Sequence, residues 1–283
     1  MVLVVLIWGA NFSFLKLALK EIPPFAFAGF RFSVGSALML GVVWLREGSV
    51  GWPRGSGLRL IGLGVVGNTA YQGLFMIGLT HTSVANAALI LATTPVVVMV
   101  LGRVTGIERL SRIAVLGITL AFGGVCLVLT GHGSRGGGAT ILGDLAVFGA
   151  VILWAAYTLG VRALPLPRSN LRLTALTMAT GAPGLLLLGA PGLLGTNWGG
   201  LSASAWGATA YTVFLGLLLA YAIWNKSVRA LGSSRTAAFG CGVPVVAMLL
   251  AWPVLGERPT AWQVGGALLV VGGVLLSRQS AAS

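Results

Sequence analysis

PVVVMVLGRVTGIER, from Pro95 to Arg109, and PVVAMLLAWPVLGER, from Pro244 to Arg258, align at a constant shift of 149 residues on Pro, two Val, Met, Glu and Arg. The register runs on without a gap, so that Gly117, Gly123 and Gly124 meet Gly266, Gly272 and Gly273. Two unrelated apolar helices do not share that many fixed positions through composition, and a duplication is the expected cause. A second pair, WGANF from Trp8 and WAAYT from Trp154, aligns at a shift of 146, as it should where connecting loops differ in length.

The repeated unit is composed for lipid. Of 283 residues, 57% are hydrophobic and 8% charged, whereas soluble domains carry roughly a quarter charged residues. Apolar stretches long enough to cross a hydrocarbon core recur near 2–20, 25–45, 58–78, 82–102, 112–130, 141–161, 171–189, 204–226, 233–254 and 260–277. Pro23 and Pro24 end the first, Gly131 to Gly138 form a flexible connector, and Pro165 and Pro167 stop the sixth. The expected fold is an all-α membrane protein of ten transmembrane helices. A first five-helix unit covers 1–133, a Gly-rich connector 134–140 and a second five-helix unit 141–283. Five is odd, so the second unit starts from the opposite side of the membrane, giving an inverted repeat with a pseudo-two-fold axis in the membrane plane.

A net charge of +13 raises the possibility of a nucleic-acid partner. The basic residues sit singly or in pairs between apolar runs, with no stripe for a phosphate backbone to follow, which excludes that class. With both termini cytoplasmic, 13 of the 18 basic residues lie on the inner side, and Lys16, Lys20, Arg135 and Arg258 on the outer. That asymmetry satisfies the positive-inside rule and predicts a multi-pass protein of a bacterial plasma membrane with lipid as its surroundings; a monomer is the expected form, although composition and spacing do not constrain it. The N-terminus lacks the cationic region and cleavage site of a signal peptide and is expected to be the first helix. Cys126 and Cys241 have neither CxxC spacing nor His or carboxylate neighbours, so no metal site is expected.

Polar side chains inside these spans select the candidate site. Asn68, Tyr71, Gln72 and Phe75 fall at i, i+3, i+4 and i+7, one face of the third helix. Asn and Gln facing hydrocarbon need partners, so this face is expected to point at the bundle interior or a wet cavity. Tyr221, Trp224 and Asn225 repeat the pattern on the eighth helix, and the 149-residue shift superposes Gln72 on Tyr221 and Phe75 on Trp224. Trp8, Asn11 and Phe12 on the first helix match Trp154, Tyr157 and Thr158 on the sixth. Together these stripes are expected to line a central chamber suited to a solute with an apolar body and a few hydrogen-bonding points, with ring faces available to an ammonium group. A neutral amino acid meets that description; a sugar, nucleobase or drug exported with proton coupling is the alternative solute reading, and a non-transporting scaffold, its polar groups spent on interhelical hydrogen bonds, is the alternative role.

Pro95 and Pro244 each free the carbonyl four residues earlier, on Leu91 and Gly240, so paired kinks are expected that serve as hinges. Arg31 lies about 10 Å into its helix and either snorkels outward or faces the cavity. The carboxylates Glu21, Glu47, Glu108, Asp144 and Glu257 all fall at span edges, so no buried acidic proton relay is expected; if the inverted halves rock to open the chamber to either side in turn, passage of the solute is expected to be uncoupled. There is no HExxH helix, P-loop, GxGxxG or EF-hand loop, and His81 is separated from His132 by a whole span, so neither catalytic residues nor a cofactor are expected.

The WGANF start, Arg31 after a Pro pair, and the Pro95 and Pro244 blocks followed by GER-like turns at Glu108 and Glu257 together resemble EamA-type members of the drug/metabolite transporter superfamily over essentially the whole chain. Within it the chain is most similar to the YddG-type exporters of aromatic and other neutral amino acids. The resemblance implies ten helices, uncoupled or proton-linked export, and a central cavity lined by helices from both halves. A phosphate-bearing substrate is disfavoured, because only Arg31 and Lys16 stand near enough to face the cavity.

Overall fold

A computed structural model of the chain describes every residue except 54, 107–111, 131–139, 164–168 and 280–283. Glu108, His132, Arg135, Pro165, Pro167 and nearly all of the Gly-rich connector therefore lie outside the described residues. Helices occupy each of the apolar stretches named above: α1 (Val2–Ala18), α2 (Pro24–Glu47), α3 (Gly57–His81), α4 (Val84–Val104), α5 (Arg112–Thr130), α6 (Ile141–Ala163), α7 (Asn170–Gly195), α8 (Ala203–Leu231), α9 (Ser233–Leu255) and α10 (Ala261–Gln279). Seven of these are long and apolar enough to cross a membrane by length and composition. The other three contain the shorter apolar helices Val2–Ala18, Val115–Gly124 and Ala261–Leu276.

Local chemistry fixes where the helices start. Pro24 opens α2 where its missing N–H is no loss, and Gly48, at φ 71°, closes it in the left-handed conformation that suits glycine. Ser83, Ser169 and Ser202 cap α4, α7 and α8 by accepting hydrogen bonds from the amides of Asn86, Arg172 and Ala205. Thr260 and Gln263 form a reciprocal capping box at the start of α10: the Thr260 amide donates to Gln263 Oε1 at 2.9 Å and the Gln263 amide to Thr260 Oγ1 at 3.2 Å.

Four helices are irregular, and in pairs. α3 loosens into a π-turn over Val65–Ala70 and α8 into one over Thr212–Leu219. The 149-residue shift carries the first of these inside the second. α4 breaks at Ala92 and Thr93, just before Pro95, and α9 tightens to a 3-10 turn over Phe239–Gly242, just before Pro244. The proline that cannot continue an α-helical ladder thus begins a new segment in each case. In α4 the freed Leu91 carbonyl is recovered by the Thr94 hydroxyl at 2.6 Å, the kind of substitution that makes proline tolerable in lipid.

The distribution of side chains is the reverse of a soluble fold. Leu45, Leu58, Leu187, Leu194 and Leu268 are exposed, whereas Arg31, Asn68, Gln72 and Asn225 are buried. With lipid outside, helix association rests on close packing of small residues and on polar contacts. A Cβ on Gly124 of α5 would lie 2.7 Å from the Gly266 carbonyl oxygen of α10, and one on Gly273 would lie 2.5 Å from that of Gly117. The repeat exchanges those two contacts, since Gly117 corresponds to Gly266 and Gly124 to Gly273. Gly67 and Gly216, equivalent positions in the two π-turns, behave likewise. Gly67 abuts the Tyr157 ring, and a Cβ on Gly216 would lie 2.6 Å from Asn11 Oδ1.

Candidate functional site

The stripes on α1, α3, α6 and α8 converge on a cavity of about 80 Å³ at the middle of the bundle. α1 contributes Trp8, Asn11 and Phe12, α3 contributes Tyr71, Gln72 and Phe75, α6 contributes Trp154, and α8 contributes Tyr221 and Trp224. The broken segments of α4 and α9 close the remaining sides with Leu91 and Thr94, and with Gly240 and Val243. Eight of the ten residues expected to bind solute therefore line the cavity. Its volume is small against the ~300–1,000 Å³ of typical ligand pockets, so in this conformation the chamber is contracted around its rings.

Those rings form one contact group. The Trp8 centroid lies 5.8 Å from Trp154, 6.0 Å from Tyr221 and 5.0 Å from Trp224. Trp154 lies 5.0 Å from Tyr71 and 5.3 Å from Tyr221. Edge-to-face and tilted pairs at these spacings are the favourable aromatic geometries. Trp8 is also anchored by its Nε1–H, which donates to the Gly216 carbonyl of the α8 π-turn at 3.1 Å. A π-turn offsets the backbone ladder, and here one of its carbonyls serves a side chain of the facing helix.

Polar groups thread the same chamber. Arg31, 1% exposed, donates from Nη2 to Gln72 Oε1 at 2.6 Å, and Gln72 Nε2 donates to the Tyr221 hydroxyl at 3.3 Å. Gln72 and Tyr221 are repeat equivalents in direct contact, as are Trp8 and Trp154, so residues matched by the sequence shifts meet at the centre of the bundle. The Arg31 guanidinium carbon sits 5.4 Å from the ring centroids of both Phe27 and Phe32. Arg31 faces inward and does not snorkel; a charge held at mid-helix costs roughly 2.5–3.5 kcal/mol on insertion scales. Three buried polar atoms of the lining have no partner: Arg31 Nε, Trp224 Nε1 and Asn11 Oδ1.

Two expected residues are turned away from the chamber. Asn68 is buried and donates to the Thr177 carbonyl of α7 at 2.7 Å. Tyr157 donates to Asn225 Oδ1 at 3.0 Å, and Asn225 Nδ2 donates to Thr174 Oγ1 at 2.9 Å. These side chains tie α3, α6, α7 and α8 together and do not reach the cavity. For Asn68 the cause is the π-turn in which it sits, since the wider turn breaks the 3.6-residue period that places it beside Gln72. For Tyr157 the cause is Gly67, whose missing side chain leaves room for the ring.

The described carboxylates lie at the two ends of the bundle. At one end Glu257 accepts from Lys16 Nζ at 3.1 Å and from the Val84 amide at 2.8 Å, and Lys16 also donates to the Thr82 carbonyl at 2.7 Å. Beside them buried Asp144 accepts from the Thr82 hydroxyl and from Asn86 Nδ2, and Gln263 Nε2 donates to Asn86 Oδ1 at 2.7 Å. Sequence reasoning found Asp144 at a helix start but not this cluster, whose other members are uncharged and come from the α3–α4 turn, the first turn of α4 and α10. At the opposite end Glu47 pairs with Arg172 at 3.0 Å and accepts from Ser169. No carboxylate is among the residues that line the cavity.

Comparison with known proteins agrees with this architecture. The model of the EamA-like transporter family matches residues 1–130 and, separately, 141–279. The Bacillus subtilis protein named "Uncharacterized transporter YyaM" is 33% identical over 271 residues, an alignment covering 94% of this chain and 88% of that protein. A Streptantibioticus cattleyicolor protein named "Probable terminal-alkyne amino-acid exporter" is 28% identical, over 99% of this chain and 93% of its own. A crystal structure with 21% sequence identity superposes with a TM-score of 0.67, covering 99% of this chain and 97% of that one, and shares the fold.

Proposed function

The chain belongs to the EamA-like transporter family, and from that premise we propose that it exports small neutral or zwitterionic metabolites, foremost aromatic and other apolar amino acids. It is a multi-pass inner-membrane transporter and not an enzyme. In this proposal all ten helices cross the membrane, both termini are cytoplasmic, and two inverted five-helix halves rock about the chamber to expose it to either side in turn. The observation that carries the proposal is the ring-lined chamber supplied by both halves, with the equivalent residues Gln72 and Tyr221 in contact. A solute held where the two halves meet is released to either side by equivalent motions, which is the advantage of an inverted repeat for a carrier. Aromatic walls with few polar points favour an apolar body bearing a small polar head, and the exporter name of one relative points to the same class.

The transport is downhill and uncoupled in this reading, because no acid lines the cavity to carry a proton. The test is uptake of radiolabelled amino acids, sugars and nucleobases into liposomes containing the purified full chain. Apolar amino acids equilibrate faster than in empty liposomes, and an imposed pH gradient does not raise their final level. If no solute of the panel enters faster than in empty liposomes, the proposal fails; uphill accumulation driven by the pH gradient removes the uncoupled part alone.

A further inference from the structure

Arg31 brings a formal positive charge to the wall of the chamber, and among the described residues no carboxylate stands against it. Glu21 is engaged by Ser202, Glu47 by Ser169 and Arg172, Asp144 by Thr82 and Asn86, and Glu257 by Lys16 and the Val84 amide. The guanidinium carries five N–H donors in a planar fork. Among the described residues it makes one hydrogen bond, from Nη2 to Gln72, and Nε is buried without an acceptor. Phe27 and Phe32 offer ring faces, which attract a cation but accept no in-plane hydrogen bond. A group this deep in the bundle is ordinarily paired with an acid or with backbone carbonyls. Among the described residues neither an acid nor a backbone carbonyl takes that place at Arg31.

We infer that the Arg31 guanidinium is the seat of the solute's carboxylate, and that a carboxylate is a required part of the transported molecule. The planar fork matches the two oxygens of a carboxylate in a way that a lysine ammonium does not. The remaining lining is consistent with the rest of an amino acid. Asn11 Oδ1 is a buried acceptor without a donor, and the faces of Trp8, Trp154 and Trp224 supply cation–π surface for an ammonium group. Gln72, bonded to Arg31 on one side and to Tyr221 on the other, holds the guanidinium in place and links its occupancy to the second half of the chain. This assignment rests on the central chamber being the transport site, but it concerns binding and is testable apart from transport.

The measurement is calorimetric titration of the purified full chain with L-phenylalanine, 3-phenylpropionate, phenylalanine methyl ester and phenethylamine. The first two keep the carboxylate and the last two lack it. The wild-type protein is expected to bind each carboxylate at least about tenfold more tightly than its counterpart without one, as for a hydrogen bond to a charged group. Arg31→Gln abolishes that preference while leaving weak binding of the ester, and Arg31→Lys retains part of it. Equal binding of acids and ester by the wild type, no binding of either acid, or an undiminished preference in Arg31→Gln overturns the assignment. Should Arg31→Gln fail to fold, as read by its thermal unfolding, the wild-type comparison of acids with ester decides alone. A chain that prefers carboxylates in titration but moves nothing into liposomes retains this assignment and loses the transport proposal; one that moves acids and esters alike does the opposite.

Discussion

Lys16 and Arg162 occupy equivalent positions under the 146-residue shift that aligns Trp8 with Trp154, yet their surroundings differ. Lys16 ties the first half to the second through Glu257 and is joined by contacts that also cross between halves, Thr82 and Asn86 to Asp144, and Gln263 to Asn86. Arg162 is exposed and, among the described residues, donates only to the Arg229 carbonyl at 3.1 Å, within its own half. Ties across the halves exist at that end too, from Arg172 to Glu47 and to the Ser49 carbonyl and from Ser169 to Glu47, but they do not include Arg162. Around Lys16 a cluster of polar side chains joins the two halves, and among the described residues Arg162 takes part in no such contact. The difference between the two positions resides in a handful of polar side chains.

The comparison breaks most directly at Asp144. Asp144→Ala leaves the Thr82 hydroxyl and the Asn86 amide without their acceptor inside the protein, a loss of about 2–3 kcal/mol for buried groups hydrogen-bonded to a charge. Glu47→Ala at the other end removes a half-buried acid and is expected to lose about 1 kcal/mol or less. Unfolding of the two variants in detergent, followed by heat or denaturant, measures the difference. Equal losses would mean that the two ends are held equally firmly.

The glycines of the π-turns come next. Gly67→Ala drives a methyl group into the ring of Tyr157, which is fully buried and held by Asn225, so the chain must deform at a cost of about 1–3 kcal/mol. Gly216→Ala meets the amide tip of Asn11, which borders open space in the chamber and can turn aside, so its stability cost is smaller. Its effect should fall on solute affinity, and titration of both variants separates the two outcomes.

The ion pair itself is a smaller matter for stability. Its partners keep 22% and 25% side-chain exposure, so solvent screens it, and Lys16→Ala is expected to destabilise this conformation by about 1 kcal/mol. Arg162→Ala should be neutral within about 0.5 kcal/mol, because an exposed side chain with one carbonyl partner contributes little. The charge-exchanged pair Lys16→Glu with Glu257→Lys should recover more stability than either single reversal. If Arg162→Ala proves as costly as Lys16→Ala, the two ends do not differ in the way the contacts indicate.

The sequence made much of this legible, for reasons that differ by region. The helices and the chamber could be read because a polar and aromatic stripe in an apolar run has few stable destinations other than the interior, and Trp8, Tyr71, Gln72, Trp154, Tyr221 and Trp224 all went there. Asn68 belonged to the same stripe on paper, but the period of 3.6 fails across a π-turn that no local residue pattern announced. Tyr157 was lost for another reason: a ring follows the space left to it, and Gly67, far away in sequence, supplied that space. The Asp144 cluster stayed hidden because three helix ends must come together before its uncharged members meet.

The prolines sharpen the comparison between halves with the smallest expected effect. Pro95 and Pro244 each begin a new helical segment beside the chamber, but the carbonyl freed by Pro95 is already occupied by the Thr94 hydroxyl. Val243 stands where Thr94 stands and carries no hydroxyl. Restoring an amide with Pro95→Ala therefore competes with an existing bond and should change the transport rate little. Pro244→Ala restores the amide that a regular α-helix aims at the Gly240 carbonyl, extends the ladder across the 3-10 turn and stiffens α9. If that turn is the hinge, Pro244→Ala slows exchange at saturating solute about threefold or more while leaving titrated affinity unchanged, the pattern of a conformational step and not of a lost contact. Rates equal to wild type in both variants would make the two breaks passive, and the motion would then have to be sought in the π-turns of α3 and α8.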